Sequence, residues 1–176
     1  MKLLFPDNTV LVSFAHIHQI AVLEGLLRGR GRWVGSVAAE CERSAEVADL
    51  EDLQAVPGIL GAPLISDAAE RVDARAIQIR LLEPGGPAGK SFGESETIAI
   101  MVRRHLDAIF LTDDRGAIGF LAAEHPEIKV YRTPDLLALA VRVGSLETEE
   151  ALAHLAVLRN LRRTHMSATS FRRLLN

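Results

Sequence analysis

Residues 108–115 read Ala-Ile-Phe-Leu-Thr-Asp-Asp-Arg. Residues 108–112 form an apolar strand that stops on two acids, Asp113 and Asp114, and a helical stretch follows over 115–124. The opening of the chain repeats this order. An apolar run over residues 2–5 closes on Pro6-Asp7, and apolar residues from Val10 to Leu23 then fall at helical spacing within residues 8–27, until Gly29 and Gly31 stop it. Further along, Trp33-Val34 reads as a minimal strand and residues 129–132 as a short one. Helices are expected over 35–42 with Ser36 as N-cap, 67–82, 91–105, 133–143, 147–161 and 167–175. Residues 46–66 are broken by Pro57, Gly58, Gly61 and Pro63, and residues 83–87 are a loop by composition.

Strands alternating with helices define an α/β protein around a mainly parallel sheet, and in such sheets ligands sit outside the carboxyl ends of the strands. Two separate strand ends deliver acid to that edge, Asp7 after the first and Asp113-Asp114 after a later one. Glu40 in an early helix and Glu94 and Glu96 at a helix start complete the candidate acids. Carboxylate and water oxygens are the ligands that Mg²⁺ and Mn²⁺ prefer. Without a cation, converging carboxylates raise one another's pKa. A divalent ion held there can polarise a phosphodiester and lower the pKa of a bound water.

Each acid also has a local structural reading. Asp7 can N-cap the first helix, and Glu94 can complete a capping box with Ser91. Glu96 can be a first-turn acid favoured by the helix dipole, Asp113 or Asp114 a turn residue, and Glu40 a surface glutamate.

Composition narrows the remaining classes. The 176 residues are 48% hydrophobic and 24% charged, which suits one packed domain. The single cysteine, Cys41, excludes an internal disulfide and a Cys-rich zinc site. No signal peptide or membrane span is readable, so a cytoplasmic location is expected. Residues 85–91, Gly-Gly-Pro-Ala-Gly-Lys-Ser, lack the spacing and the preceding strand of a phosphate loop. His16 and His18, two apart on a helix, point to different faces. The net charge of −3 is uneven: residues 1–150 carry all 23 acids against 15 basic residues, while residues 151–176 carry five arginines and no acid. That basic end is either a solvated face or a surface for phosphates or an acidic partner.

Taken in order, these stretches resemble the PIN-domain family, which includes the VapC-type toxin ribonucleases. Phe5-Pro6-Asp7-Asn8-Thr9-Val10-Leu11 is similar to the family's apolar strand and Asp-Thr-Asn-Val-Leu, with Asn and Thr exchanged. Val37-Ala38-Ala39-Glu40 resembles the helix carrying the second acid. Gly93-Glu94-Ser95-Glu96-Thr97-Ile98-Ala99-Ile100 and Phe110-Leu111-Thr112-Asp113-Asp114 resemble the Gly-Glu-Ala-Glu-Ala-Ile-Ala-Leu and Leu-Leu-Thr-Asp-Asp segments of one PIN-like branch.

The resemblance implies a three-layer α/β/α sandwich over residues 1–143, with a C-terminal helical extension, residues 144–176, packed on it. It implies a Mg²⁺- or Mn²⁺-dependent endoribonuclease acting on RNA, plausible as a toxin: a homodimer neutralised by a small antitoxin protein. Asp7, Glu96 and Asp114 match the metal-binding acids and Glu40 the fourth of the set; Glu94 is an extra ligand or a cap, and Asp113 a supporting or added ligand. Thr112 would orient Asp114. Leu152, Leu155, Leu158 and Leu161 form an apolar stripe in the extension, to be packed on the domain or on a partner. The alternative is a non-catalytic PIN-like module that binds RNA or protein.

Overall fold

Leu3-Leu4-Phe5-Pro6 and Ala108-Ile109-Phe110-Leu111 are apolar without alternation, the pattern of parallel strands covered on both faces. In the computed structural model, which describes residues 2–82 and 91–175, they pair in parallel as β1 (Leu3–Pro6) and β2 (Ala108–Leu111). The register runs from Leu3 opposite Ala108 to Pro6 opposite Leu111. β3 (Lys129–Tyr131) joins the other side of β2, also parallel, giving the order β1-β2-β3. The protein is therefore α/β with a three-stranded parallel sheet. All three strands run the same way, so Asp7, Asp113-Asp114 and Thr133 emerge along one edge.

The helical stretch expected over 8–27 is two helices, α1 (Asn8–His16) and α2 (Ile20–Leu27). Between them His18 takes a left-handed φ of 53°, and the amides of His18 and Gln19 donate to Ala15 O and Phe14 O. This closes α1 without a glycine. Periodicity could not reveal the break, because Ile17, Ile20 and Leu23 all remain buried across it.

Trp33-Val34, expected as a strand, makes only an isolated bridge between Val34 and Leu64, and Gly31 makes another against Leu4. Gly31 lies close against the core there: an added Cβ would sit 2.5 Å from Leu60 Cδ2, so that side chain would have to move. Trp33 instead packs into the core with Nε1 donating to Gly61 O at 2.8 Å. Helix α3 (Gly35–Ser44) follows, and its N-cap is Val34 rather than Ser36. A 3₁₀ turn (Glu51–Ala55) and α4 (Val56–Leu60) carry Leu53, Val56 and Leu60 into the core.

Helix α5 (Ala68–Leu81) begins with a capping box of Asp67 and Glu70. Glu70 also receives Arg104 at 2.6 and 2.8 Å, which ties α5 to the end of α6 (Phe92–Arg103). The expected loop 83–87 and most of the glycine-rich stretch 85–91 lie outside the described residues. After β2 and β3 come α7 (Arg115–Glu124) and α8 (Thr133–Arg142).

The C-terminal helices α9 (Thr148–Asn160) and α10 (Ala168–Leu175) pack on α8. Their Leu155, Leu158 and Phe171 are fully buried in the same apolar core as Phe5, Phe14 and Phe110. Of the leucine stripe, Leu155 and Leu158 are thus packed within the chain, Leu152 is partly buried, and Leu161 is 46% exposed. Among the described residues, no helix is long and apolar enough to cross a membrane.

Candidate functional site

Asp7 is placed by the sheet itself. Its amide donates to Leu111 O at 2.8 Å, continuing the β1–β2 ladder by one residue and setting Asp7 beside Thr112. The side chain is buried and acts as N-cap of α1: Oδ2 accepts from Thr9 N at 3.2 Å and Thr9 Oγ1 at 2.7 Å, with Thr112 Oγ1 at 3.4 Å. Oδ1 is buried and has no hydrogen-bond partner among the described residues. Capping and site membership are therefore not alternatives for this residue. One oxygen caps and the other is left bare.

Thr112 Oγ1 also accepts the Asp114 amide at 3.1 Å, so the threonine orients Asp114 through its backbone. Asp114 Oδ1 caps α7 by accepting Ala117 N at 2.7 Å. Asp113 turns the other way. Its Oδ1 accepts Thr133 N at 2.9 Å and its Oδ2 accepts Thr133 Oγ1 at 2.5 Å, so this carboxylate joins the end of β2 to the start of α8. Burial raises the Asp113 carboxyl above its ordinary value, against the pull of these donors.

Glu94 and Glu96 sit two residues apart on α6, roughly 200° around the helix, so they cannot face the same neighbours. The capping box expected from Ser91 is not formed. Ser91 has φ 62° and makes no side-chain capping bond, which leaves Glu94 free to point elsewhere. Glu94 faces the other acids: burial raises its carboxyl to about 8, with the charges of Asp7, Asp114 and Glu40 adding to the effect. Glu40, from α3, is raised to about 7 by burial and then by Asp7. Asp7 itself is raised, first by burial and against the pull of Thr9 and Asn8, with Asp114 contributing. Gly93 allows α3 this close, since a Cβ there would lie 3.1 Å from Glu40 Oε1 and 3.2 Å from Val37 Cγ2.

Glu96 is engaged on a different side. Its Oε2 accepts Ser36 N at 2.9 Å and Ser36 Oγ at 2.5 Å, and its Oε1 accepts Ser66 Oγ at 2.6 Å. Three donors satisfy both oxygens, so Glu96 secures the first turn of α3. The structure thus groups Asp7, Glu40, Asp114 and Glu94, the last expected as an extra ligand or a cap, while Glu96, expected as a metal-binding acid, is held apart by serine donors. Asp113 borders this group and is held by Thr133.

Arg163 was not anticipated. From the segment after α9 its Nε donates to Ser13 Oγ and its Nη2 to Thr9 O, both at 2.9 Å. Its charge acts on Asp113 and Asp7. The only hint in the sequence was the acid-free, arginine-rich end of the chain.

Among the described residues, no three His, Cys, Asp or Glu side chains stand in a geometry that could hold a metal ion as they are. The donor set nevertheless fits a hard divalent cation: all the candidate donors are oxygen, Asp7 Oδ1 is bare, and burial and then the Asp7 charge push Glu40 up to about 7 and Glu94 to about 8. No protein-family model, curated protein or solved structure matches the chain.

Proposed function

We propose that the chain is a PIN-like, Mg²⁺- or Mn²⁺-dependent endoribonuclease, with its helices arranged as a three-layer α/β/α sandwich about the sheet. Asp7, Glu94 and Asp114 are the proposed metal-binding acids, with Glu40 completing the pocket. Glu94 replaces Glu96 in this role because the Glu96 oxygens are already taken by Ser36 and Ser66. The observation that carries the reading is the buried, unpartnered Asp7 Oδ1 beside carboxyls pushed up to about 7 and 8. A buried acceptor left bare costs about 1–3 kcal/mol, which a cation would offset.

When bound, a divalent ion supplies positive charge against a scissile phosphate and acidifies water. The chain does the positioning. Thr9 and Thr112 fix the Asp7 carboxylate through Oδ2, and the Ala117 amide fixes Asp114, so neither needs to be ordered on binding. Burial raises Glu94 to about 8 and Glu40 to about 7, so protons compete with a cation for these carboxyls and cation affinity rises with pH. A homodimer and a small antitoxin that neutralises the toxin belong to this proposal through the family resemblance alone.

The second reading is a non-catalytic PIN-like binding module. It is favoured by the absence, among the described residues, of three acids in ligating geometry. Incubating single-stranded RNA with Mn²⁺ and either the wild type or Asp7→Ala separates the two. The nuclease reading expects cleavage by the wild type alone and a higher melting temperature with Mn²⁺. If neither protein cuts and Mn²⁺ leaves the melting temperature unchanged, the binding module is the better description.

A further inference from the structure

Next to the acids the surface changes sign. A groove of about 760 Å³ is lined by Arg115, Arg132, Arg162, Arg163 and His165, with Asp113 as the one acid among its described lining residues. That acid is already satisfied by Thr133. A smaller hollow of about 410 Å³ shares Asp113, Arg115, Arg162 and Arg163 with the groove and adds Thr9 and Asp114. The basic groove therefore opens onto the acidic group without a break.

The end of α9 aims the two consecutive arginines differently. Arg162, at φ 56°, donates its amide to Arg159 O, and Arg163 donates its amide to Leu158 O at 2.8 Å. This turn sends Arg163 inward to Ser13 and Thr9 and leaves Arg162 exposed. Arg115 and Arg162 are exposed and pair with no acid among the described residues, while Arg132 touches Asp135 at 3.3 Å.

We propose that this groove seats the phosphodiester backbone of single-stranded RNA, with Arg115, Arg132 and Arg162 on successive phosphates and the strand led past Asp114 to the acids. The assignment rests on the ribonuclease reading above. Unpaired guanidiniums in a groove match phosphate oxygens, and Ile118 and Met166 give its wall apolar surface for base faces. An acidic protein segment would satisfy the arginines too, but following the groove would carry its carboxylates onto Asp7 and Glu94. A phosphodiester delivered to the same place meets the proposed cation.

The test is binding of a short fluorescein-labelled single-stranded RNA in EDTA, read by anisotropy over a range of salt. Each phosphate contact on a single strand contributes about 0.7 to the slope of log K against log salt. Arg115→Gln with Arg162→Gln should flatten that slope by about 1.4 and weaken binding about tenfold, whatever the RNA sequence. Both side chains are exposed, so the melting temperature should not move.

Unchanged binding in the double variant, or no RNA binding by the wild type, overturns the proposal. Arginine-dependent binding of polyglutamate in place of RNA overturns it in favour of an acidic protein partner. Arginine-dependent RNA binding without any Mn²⁺-dependent cleavage upholds the groove and removes the nuclease reading. Undiminished cleavage by the double variant removes the groove and keeps the nuclease.

Discussion

Replacing Glu94 by glutamine keeps the shape of the side chain and deletes its charge, so it removes the cost of burying that charge together with its repulsion by the other acids. The Glu94 carboxyl is 8% exposed and held at about 8, against an ordinary 4.5. Between those values the folded chain keeps a proton that the unfolded chain has lost. Stability therefore falls as pH rises through this window, and the loss is absent below about 4.5. About 3.5 pH units at about 1.4 kcal/mol each gives a ceiling on the order of 5 kcal/mol. Burial is the larger cause and repulsion by Asp7, Asp114 and Glu40 adds to it, and because those acids remain, about 2–4 kcal/mol should be recovered by this one substitution.

For a chain of this length, that corresponds to a melting temperature about 5–15 °C higher. Thermal melts in EDTA should show Glu94→Gln matching the wild type at pH 5 and melting well above it at pH 8. Mn²⁺ should raise the wild type more at pH 8 than at pH 5, by about 2.7 kcal/mol at a hundredfold excess over Kd, and should raise the variant little. Parallel pH profiles for the two proteins without metal would refute the idea that burial and neighbouring acids disfavour the Glu94 charge.

The other residues around the site separate support from chemistry. Glu96→Ala strands the Ser36 amide and two serine hydroxyls, so it should cost about 2–3 kcal/mol in thermal melts and leave the Mn²⁺ response intact. A lost Mn²⁺ response with unchanged stability would make Glu96 a ligand after all. Asp113→Ala removes the acceptor that holds Thr133 and should lower stability by about 1–2 kcal/mol, measurable by urea unfolding. Gly93→Ala gains about 1 kcal/mol of helix propensity and loses about as much to crowding against Glu40 and Val37. Its melting temperature should stay near that of the wild type while the Mn²⁺-induced shift shrinks, because Glu40 is the group displaced.

The sheet edge was legible because two apolar runs each end on acid, at Asp7 and at Asp113-Asp114, and parallel strands bring such ends together. Choosing between Glu94 and Glu96 was not possible from spacing. Both are glutamates in the first turns of α6 beside the shared neighbour Ser95, and which one faces the other acids depends on the rotation of the helix about its axis. The apparent capping box pointed the wrong way, since Ser91 sits in a left-handed conformation that removes its hydroxyl from the helix start. Arg163 was beyond reach for a different reason. Its partner Ser13 lies 150 residues away, and no local pattern encodes a contact made only after α9 has packed on α8. The split of residues 8–27 stayed hidden because burial continues through a turn that contains no glycine.

The Asp7 amide bond to Leu111 turns the sheet into a ruler for the acids. It sets Asp7 opposite Thr112, two residues before Asp114, so the strand register fixes where both carboxylates leave the backbone. Side-chain length at position 7 is then matched to the donors of Thr9 and Thr112. A glutamate there would keep the charge but carry the carboxylate one methylene past those donors, so the cap of α1 and the placement of the charge would be lost together.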